Sequence, residues 1–154
     1  MTNNPRIVVG VDGSPLSINA LEFAIEETQL RHGQLHVTYA YPVMERPVTG
    51  STGKDYYEQV EAEAREFLGG IMGGAPSTEG LEVEWLAVPG NPAEVLIEAS
   101  RGAALLVVGS RGVGGFKGLM MGSVSTQCVH HSHCPVLVVR EDHQTGDSST
   151  VTSE

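Results

Sequence analysis

Residues 108–124 read VGSRGVGGFKGLMMGSV, and they carry most of the information about how this chain folds and what it binds. The stretch begins where an apolar run ends and stops where a segment compatible with a helix begins. Glycine lets the backbone turn through positive φ and approach a ligand closely, and the first turn of a helix offers unpaired N–H groups and a positive dipole end. The order strand, glycine-rich loop, helix therefore predicts a site for an anion such as phosphate.

A flexible surface connection is the competing interpretation of this loop, because a tight turn after a strand needs only one or two glycines. The motif is Gly109-x2-Gly112-x9-Gly122-Ser123, with Gly114, Gly115 and Gly118 inside the long gap. Ser123 is a favourable N-cap residue for the helix that follows. Six glycines ending at such a serine favour ligand binding over a plain connection.

Short apolar runs predict five strands, at Arg6 to Asp12, Gln34 to Tyr41, Leu81 to Val88, Ala103 to Val108 and Pro135 to Arg140. Segments of helical character separate the strands. The helix between the second and third strands is expected to be followed by a glycine-rich connection from Gly69 to Gly80. The last two apolar runs are typical of strands buried on both faces. Residues 1–141 are therefore expected to form one domain, with 142–154 as a disordered tail that lacks apolar periodicity.

Five strands alternating with four helices predict an α/β fold with an open, mostly parallel sheet and helices on both faces. In such sheets a ligand lies beyond the carboxyl ends of the strands, where the strand order reverses. This rule brings Gly10, Val11 and Asp12 beside Gly109 and its loop.

Composition excludes several classes of function. The 154 residues carry a formal charge of −10, which repels nucleic acid. No apolar run approaches the length of a membrane span, and no export signal is visible at the N-terminus, so a cytoplasmic protein is expected. The two cysteines, Cys128 and Cys134, are too few for a disulfide framework.

Zinc ligands of the right type cluster near the end of the chain, at Cys128, His130, His131, His133 and Cys134. Zinc sites normally pair ligands two to four residues apart on separate elements. Spread along one helix end and the following turn, these side chains are expected to point in several directions, and no metal site is predicted from them.

Three features together resemble the ATP-binding branch of the universal stress protein family. They are IVVGVDGS at residues 7–14, the glycine motif from Gly109 to Ser123, and HCPVLVVR at residues 133–140. The resemblance covers nearly the whole chain up to Arg140. It implies a Rossmann-like sheet of strand order 3-2-1-4-5, with adenine near the ends of the first two strands and the phosphates in the glycine loop.

Carried over to this sequence, the resemblance implies a set of nucleotide contacts: Gly10, Val11, Asp12, Ala40, Gly109, Arg111, Gly112, Gly115, Gly122, Ser123, Val124 and Ser125. Ala40 is expected to offer backbone hydrogen bonds to the adenine edge, and Asp12 to lie near the ribose or a Mg²⁺ or Mn²⁺ ion on the phosphates. A local role for Asp12, accepting N–H bonds in the turn Asp-Gly-Ser-Pro, is the alternative.

The sequence leaves three functions open: a regulatory protein that responds to bound ATP, a slow ATPase or phosphoryl-transfer enzyme, and a sensor of AMP or cyclic AMP. Phosphoryl transfer needs a positioned base and charge at the γ-phosphate, and Lys54 and Lys117 both lack the P-loop context. The regulatory role is therefore favoured. The apolar run Pro135 to Val139, at an edge of the sheet, also predicts a homodimer, as the family resemblance does.

Overall fold

The computed structural model describes residues 4–44, 53–112 and 121–141. Strands and helices alternate along the whole described chain. The strands are β1 (Arg6–Gly10), β2 (Gln34–Tyr41), β3 (Glu82–Pro89), β4 (Leu105–Gly109) and β5 (Val136–Val139). The helices are α1 (Pro15–Arg31), α2 (Gly53–Gly73), α3 (Pro92–Ala99) and α4 (Ser123–His131).

The five strands form one sheet in the order β3-β2-β1-β4-β5, and every neighbouring pair is parallel. The predicted fold and strand order are thereby confirmed. β1 pairs with β2 on one side and with β4 on the other, so the strand order reverses between β1 and β4. The carboxyl ends of these two central strands consequently open toward the same edge of the sheet.

Alternate side chains of β1 pack into two separate hydrophobic cores, one on each face of the sheet. Ile7 and Val9 pack with residues of α1 and α2, whereas Val8 packs on the other face with Leu96 of α3 and Cys128 of α4. All three β1 residues are at most 1% exposed. Because helices cover both faces of the sheet, the strand sequence is continuously apolar rather than alternating.

Helix α2 runs further than the sequence predicts, since residues 69–73 are helical and not part of a connection. Leu68 and Met72 are buried against the sheet within this last part of the helix. Glycine costs about 1 kcal/mol per helical position, and the burial of two large apolar side chains offsets that cost. The prediction of a connection beginning at Gly69 was wrong for this reason.

Strand β5 lies at an edge of the sheet and is less buried than its sequence predicts. Val136, Leu137 and Val138 are half-buried, and only Val139 is buried. The opposite edge is β3, where Trp85 is 52% exposed. Among the described helices, none combines the length and apolar character needed to cross a membrane.

Candidate functional site

A cavity of about 490 Å³ opens at the carboxyl edge of the sheet, where β1 and β4 end. Eleven of the twelve residues predicted to contact a nucleotide line it, namely Gly10, Val11, Asp12, Ala40, Gly109, Arg111, Gly112, Gly122, Ser123, Val124 and Ser125. The twelfth, Gly115, lies outside the described residues. The topological rule for open parallel sheets therefore brings together residues that are more than a hundred positions apart in the sequence.

One wall of the cavity is apolar and was not predicted. It contains Pro92 and Leu96 of α3, together with Val108 of β4. A Cβ atom added to Gly10 would lie 2.6 Å from Cδ1 of Leu96, so the glycine lets this side chain close over the end of β1. The sequence of α3 carries no specific signal of this wall, because Pro92 and Leu96 share one helix face in a pattern that fits ordinary packing equally well.

Two polar residues that line the cavity, Ser17 and Thr38, were also not predicted from the sequence. Ser17 accepts a hydrogen bond from the backbone N–H of Asp12 at 3.2 Å and donates its hydroxyl to the carbonyl of Ser14 at 2.9 Å. Thr38 lies on β2, two residues before Ala40. A serine inside a helix and a threonine inside a strand carry no local pattern that marks them as part of a site.

Asp12 is placed for both of the roles considered from the sequence, one in the local turn and one at the cavity. Its Oδ1 accepts a hydrogen bond from the N–H of Ser14 at 2.9 Å, which is the turn-forming role. The same side chain lines the cavity, and Oδ2 would lie 2.6 Å from a Cβ atom added to Gly112. The carboxylate therefore closes the local turn while facing the chain that leaves β4.

Two glycines of the motif, Gly109 and Gly112, are required by the close approach of neighbouring atoms and not by left-handed backbone. Within the described ranges, the glycines with positive φ are Gly13, Gly80, Gly90 and Gly102, so the expectation of positive φ was wrong for Gly109 and Gly112. An added Cβ atom at Gly109 would lie 3.0 Å from the backbone carbon of Leu16. At Gly122 its nearest neighbours would be 3.5 Å away, an ordinary contact.

Helix α4 begins at the cavity without a side-chain cap. The N-cap residue is Gly122 and not Ser123 as predicted, because Ser123 already has helical conformation. The N–H of Gly122 and the hydroxyl of Ser125 both donate to the carbonyl of Ser110, at 2.5 and 2.8 Å. The first N–H groups of a helix have no acceptor within it, so those of Ser123, Val124 and Ser125 are the donors offered here.

The charged side chains of the described lining are Asp12 and Arg111. The guanidinium of Arg111 forms an ion pair with the carboxylate of Glu141, which lies just beyond β5. Only 17% of the Arg111 side chain is exposed, so it is not a freely solvated surface arginine. This pair joins the residues just beyond β5 to the loop that leaves β4.

The cysteine and histidine cluster is dispersed in the structure. Cys128 is fully buried in the core beneath α4, and burial raises the pKa of its thiol to about 11. His130 and His131 are exposed on the same helix. No three histidine, cysteine or acidic side chains in the described part of the chain are arranged to hold a metal ion.

Comparisons with known proteins point to one family. The sequence profile of the universal stress protein family matches residues 3–140. Universal stress protein YxiE of Bacillus subtilis is 34% identical over 145 residues, covering 88% of this chain and 98% of YxiE. Universal stress protein Rv2005c of Mycobacterium tuberculosis is 34% identical over 138 residues, covering 88% of this chain and 45% of that protein. The chain thus spans about half the length of some curated relatives.

Solved structures of similar fold include complexes with adenine nucleotides. A universal stress protein in complex with cAMP is 25% identical, with a TM-score of 0.68 over 90% of this chain and 98% of the other. A universal stress protein from Archaeoglobus fulgidus in complex with dAMP is 22% identical, with a TM-score of 0.56 over 90% of this chain and 99% of the other. The second likeness concerns the fold alone.

Proposed function

The chain belongs to the universal stress protein family, and from this premise we propose that it is a regulatory stress-response protein that binds ATP. The observation that carries the proposal is the cavity, which gathers eleven of the twelve residues predicted to contact a nucleotide. A cavity of about 490 Å³ falls within the usual range for sites that hold small molecules and cofactors. The cAMP complex of the similar protein that is 25% identical supports the ligand class.

The two ends of the cavity differ in the way that a nucleotide requires. Near β2 and α3 the lining is apolar, with Ala40, Pro92 and Leu96, which suits the faces of a purine ring. Near the start of α4 the lining offers helix N–H groups, which suit phosphate oxygens. We therefore propose the base at the β2 end and the phosphates at the α4 end.

A divalent cation would accompany the phosphates. Asp12 is the sole carboxylate in the described lining, and Mg²⁺ commonly binds through one or two carboxylates together with substrate phosphates. The residues present therefore fit a cation carried by the nucleotide and not a metal site built from the protein alone. In this proposal Asp12 would hold Mg²⁺ or Mn²⁺, which neutralises phosphate charge when bound.

Cyclic AMP is the second candidate ligand, favoured by the similar protein whose structure contains it. The decisive measurement is the identity of the nucleotide released on denaturing freshly purified protein, together with calorimetric titrations of ATP, AMP and cyclic AMP with Mg²⁺. ATP released and bound most tightly supports the proposal. Tighter binding of cyclic AMP would replace ATP as the ligand, and no binding of any adenine nucleotide would contradict the function itself.

An enzymatic role is less well supported than binding. The described lining contains no histidine, cysteine or lysine, and its one carboxylate already accepts a hydrogen bond from Ser14. Phosphoryl transfer depends on a positioned base and on charge stabilisation at the γ-phosphate. We therefore propose that any turnover of ATP is slow and that nucleotide occupancy is the regulatory signal.

We also propose a homodimer through the outer edge of β5. The carbonyl of Pro135 accepts a hydrogen bond from Leu106 in β4, and that of Val139 accepts one from Ser110 just beyond β4. The backbone of the intervening Leu137 therefore also faces β4. Because backbone groups alternate in direction along a strand, the N–H and C=O groups of Val136 and Val138 face away from the sheet. In the described part of the chain no further strand pairs with this apolar edge, which is a surface suited to a second copy.

Val138→Pro tests the dimer, because proline removes an outward N–H group while the β4 hydrogen bonds remain. We expect light scattering at micromolar concentration to give a dimer for the wild type and a monomer for the variant, with unchanged circular dichroism. Leu137→Lys is a poorer test, since Leu137 packs against the core and its loss destabilises the fold. A monomeric wild type would contradict the proposal.

A further inference from the structure

The side-chain hydroxyl of Thr38 forms no hydrogen bond with the described part of the fold. Thr38 lies in β2, is 2% exposed and lines the cavity. Its backbone carbonyl accepts a hydrogen bond from Val11 at 3.0 Å. Its hydroxyl oxygen is buried and has no hydrogen-bond partner among the described residues. A buried hydroxyl without a partner lowers the stability of the fold, so its presence here calls for a compensating role.

The position of Thr38 places it at the base end of the cavity. Alternation along β2 sets Thr38 and Ala40 on one face of the sheet, while Val37 packs into the core on the other face. Thr38 pairs in register with Gly10, the residue over which Leu96 closes. The uncapped start of α4 lies across β1 and β4 from this point, so the phosphates of a nucleotide would be at the far end.

We infer that the Thr38 hydroxyl hydrogen-bonds a polar atom on the edge of the purine ring and thereby contributes to nucleobase selectivity. This inference rests on the proposed function. A threonine hydroxyl both donates and accepts, so it can pair with a ring nitrogen or with an exocyclic amino group. Leu96 and Ala40 also line the cavity and offer no polar side chain to this hydroxyl, so a mismatched base would leave the buried hydroxyl unpaired and bind more weakly.

Thr38→Val tests the inference, because valine has the same shape and lacks the hydroxyl. We expect Mg²⁺-ATP to bind about tenfold more weakly, the usual order for one lost hydrogen bond. The free protein should become more stable, since the unpaired hydroxyl is gone, whereas the thermal shift produced by ATP should shrink. A residue that merely supports the fold would not produce these opposite changes.

Two control variants separate the hydroxyl from the side chain's volume. Thr38→Ser retains the hydroxyl and should bind ATP nearly as well as the wild type. Thr28→Val makes the same change at a fully buried threonine of α1, whose hydroxyl donates to Ala24 at 2.7 Å. It should lower stability and leave ATP affinity unchanged. If Thr38→Val fails to fold by circular dichroism, Thr38→Ala takes its place.

Purine analogues that each lack one polar atom identify the partner on the base. The probes are ATP, purine riboside triphosphate, and the 1-deaza, 3-deaza and 7-deaza forms of ATP. The analogue that lacks the partner atom should bind the wild type more weakly than ATP does. It should bind Thr38→Val about as tightly as ATP does, because the variant cannot form this hydrogen bond with either ligand. If the wild type binds ATP and Thr38→Val binds it equally well, the inference is overturned and the proposed function stands. If the wild type binds no adenine nucleotide, both are overturned.

Discussion

Helices α3 and α4 both begin at the carboxyl edge of the sheet, yet their first turns are completed differently. The side chain of Asn91 accepts hydrogen bonds from Ala93 and Glu94 at 3.0 and 3.3 Å, so α3 satisfies its own first N–H groups. The N-cap of α4 is Gly122, which has no side chain to do the same. A self-capped start needs no ligand, whereas an uncapped start facing a cavity is suited to receive an anion.

The largest expected effect comes from filling the uncapped start. Gly122→Val should weaken Mg²⁺-ATP binding by about 100-fold or more, because branched γ-carbons at this cavity position obstruct access to the helix N–H groups. The fold should remain intact, since a Cβ atom at Gly122 makes only ordinary contacts at 3.5 Å. Calorimetric titration beside circular dichroism measures both. Unchanged affinity would mean that the phosphates lie elsewhere.

A second glycine of the motif should act on stability instead. Gly109→Ala is expected to lower the free energy of unfolding by about 2 kcal/mol, because its Cβ atom would press on the backbone of Leu16 in α1 at 3.0 Å. Gly122→Ala is the matched control and should change stability little. Urea denaturation compares the two variants. Equal stability of both would show that Gly109 does not pack α1 closely against β4.

The third prediction concerns the metal. Asp12→Asn keeps an oxygen that can accept the hydrogen bond from Ser14 and removes the negative charge. The gain in ATP affinity on adding Mg²⁺ or Mn²⁺ should fall about tenfold in this variant, since a neutral amide is a weaker cation ligand. Titrations with and without metal provide the measurement. An identical metal response in wild type and variant would leave Asp12 with the turn-forming role alone.

The smallest effect is expected at the self-capped helix. Asn91→Ala removes both capping bonds of α3 and should cost about 1 kcal/mol of stability, the usual loss at an N-cap. ATP affinity should stay within about twofold, since Asn91 satisfies the helix and not a ligand. Thermal denaturation measures the loss of stability, and calorimetric titration measures the ATP affinity. A large loss of ATP affinity would contradict the view that the start of α4, and not that of α3, serves the nucleotide.

Much of the cavity could be predicted from local sequence. Gly10 to Asp12 end a buried strand, and the glycine motif follows another, so the rule for open parallel sheets brings them to one place. The apolar wall and Thr38 could not be found in this way. Pro92, Leu96 and Thr38 belong to elements whose patterns also fit ordinary packing, and only their proximity to the cavity distinguishes them.

The errors in the sequence predictions have a common physical cause. Gly69 and Gly70 were expected outside a helix because glycine is a poor helix former, but Leu68 and Met72 bury enough surface to keep α2 helical. Gly109 was expected at positive φ because glycine tolerates it, but the close approach of Leu16 is what requires a residue without a side chain. In both cases tertiary packing outweighed local propensity.

The sequence by itself determined the alternation of strands and helices, the reversal of strand order once the family resemblance was recognised, and the residues expected around a nucleotide. The alternation follows from periodicity, capping residues and glycine spacing, which are properties of neighbouring residues, whereas the strand order and the nucleotide contacts were implied by the family resemblance. Tertiary structure decided which glycines are compressed, which helix start is uncapped beside the cavity, and which buried hydroxyl lacks a partner. Such properties depend on atoms brought together from distant parts of the chain, and no local pattern encodes them.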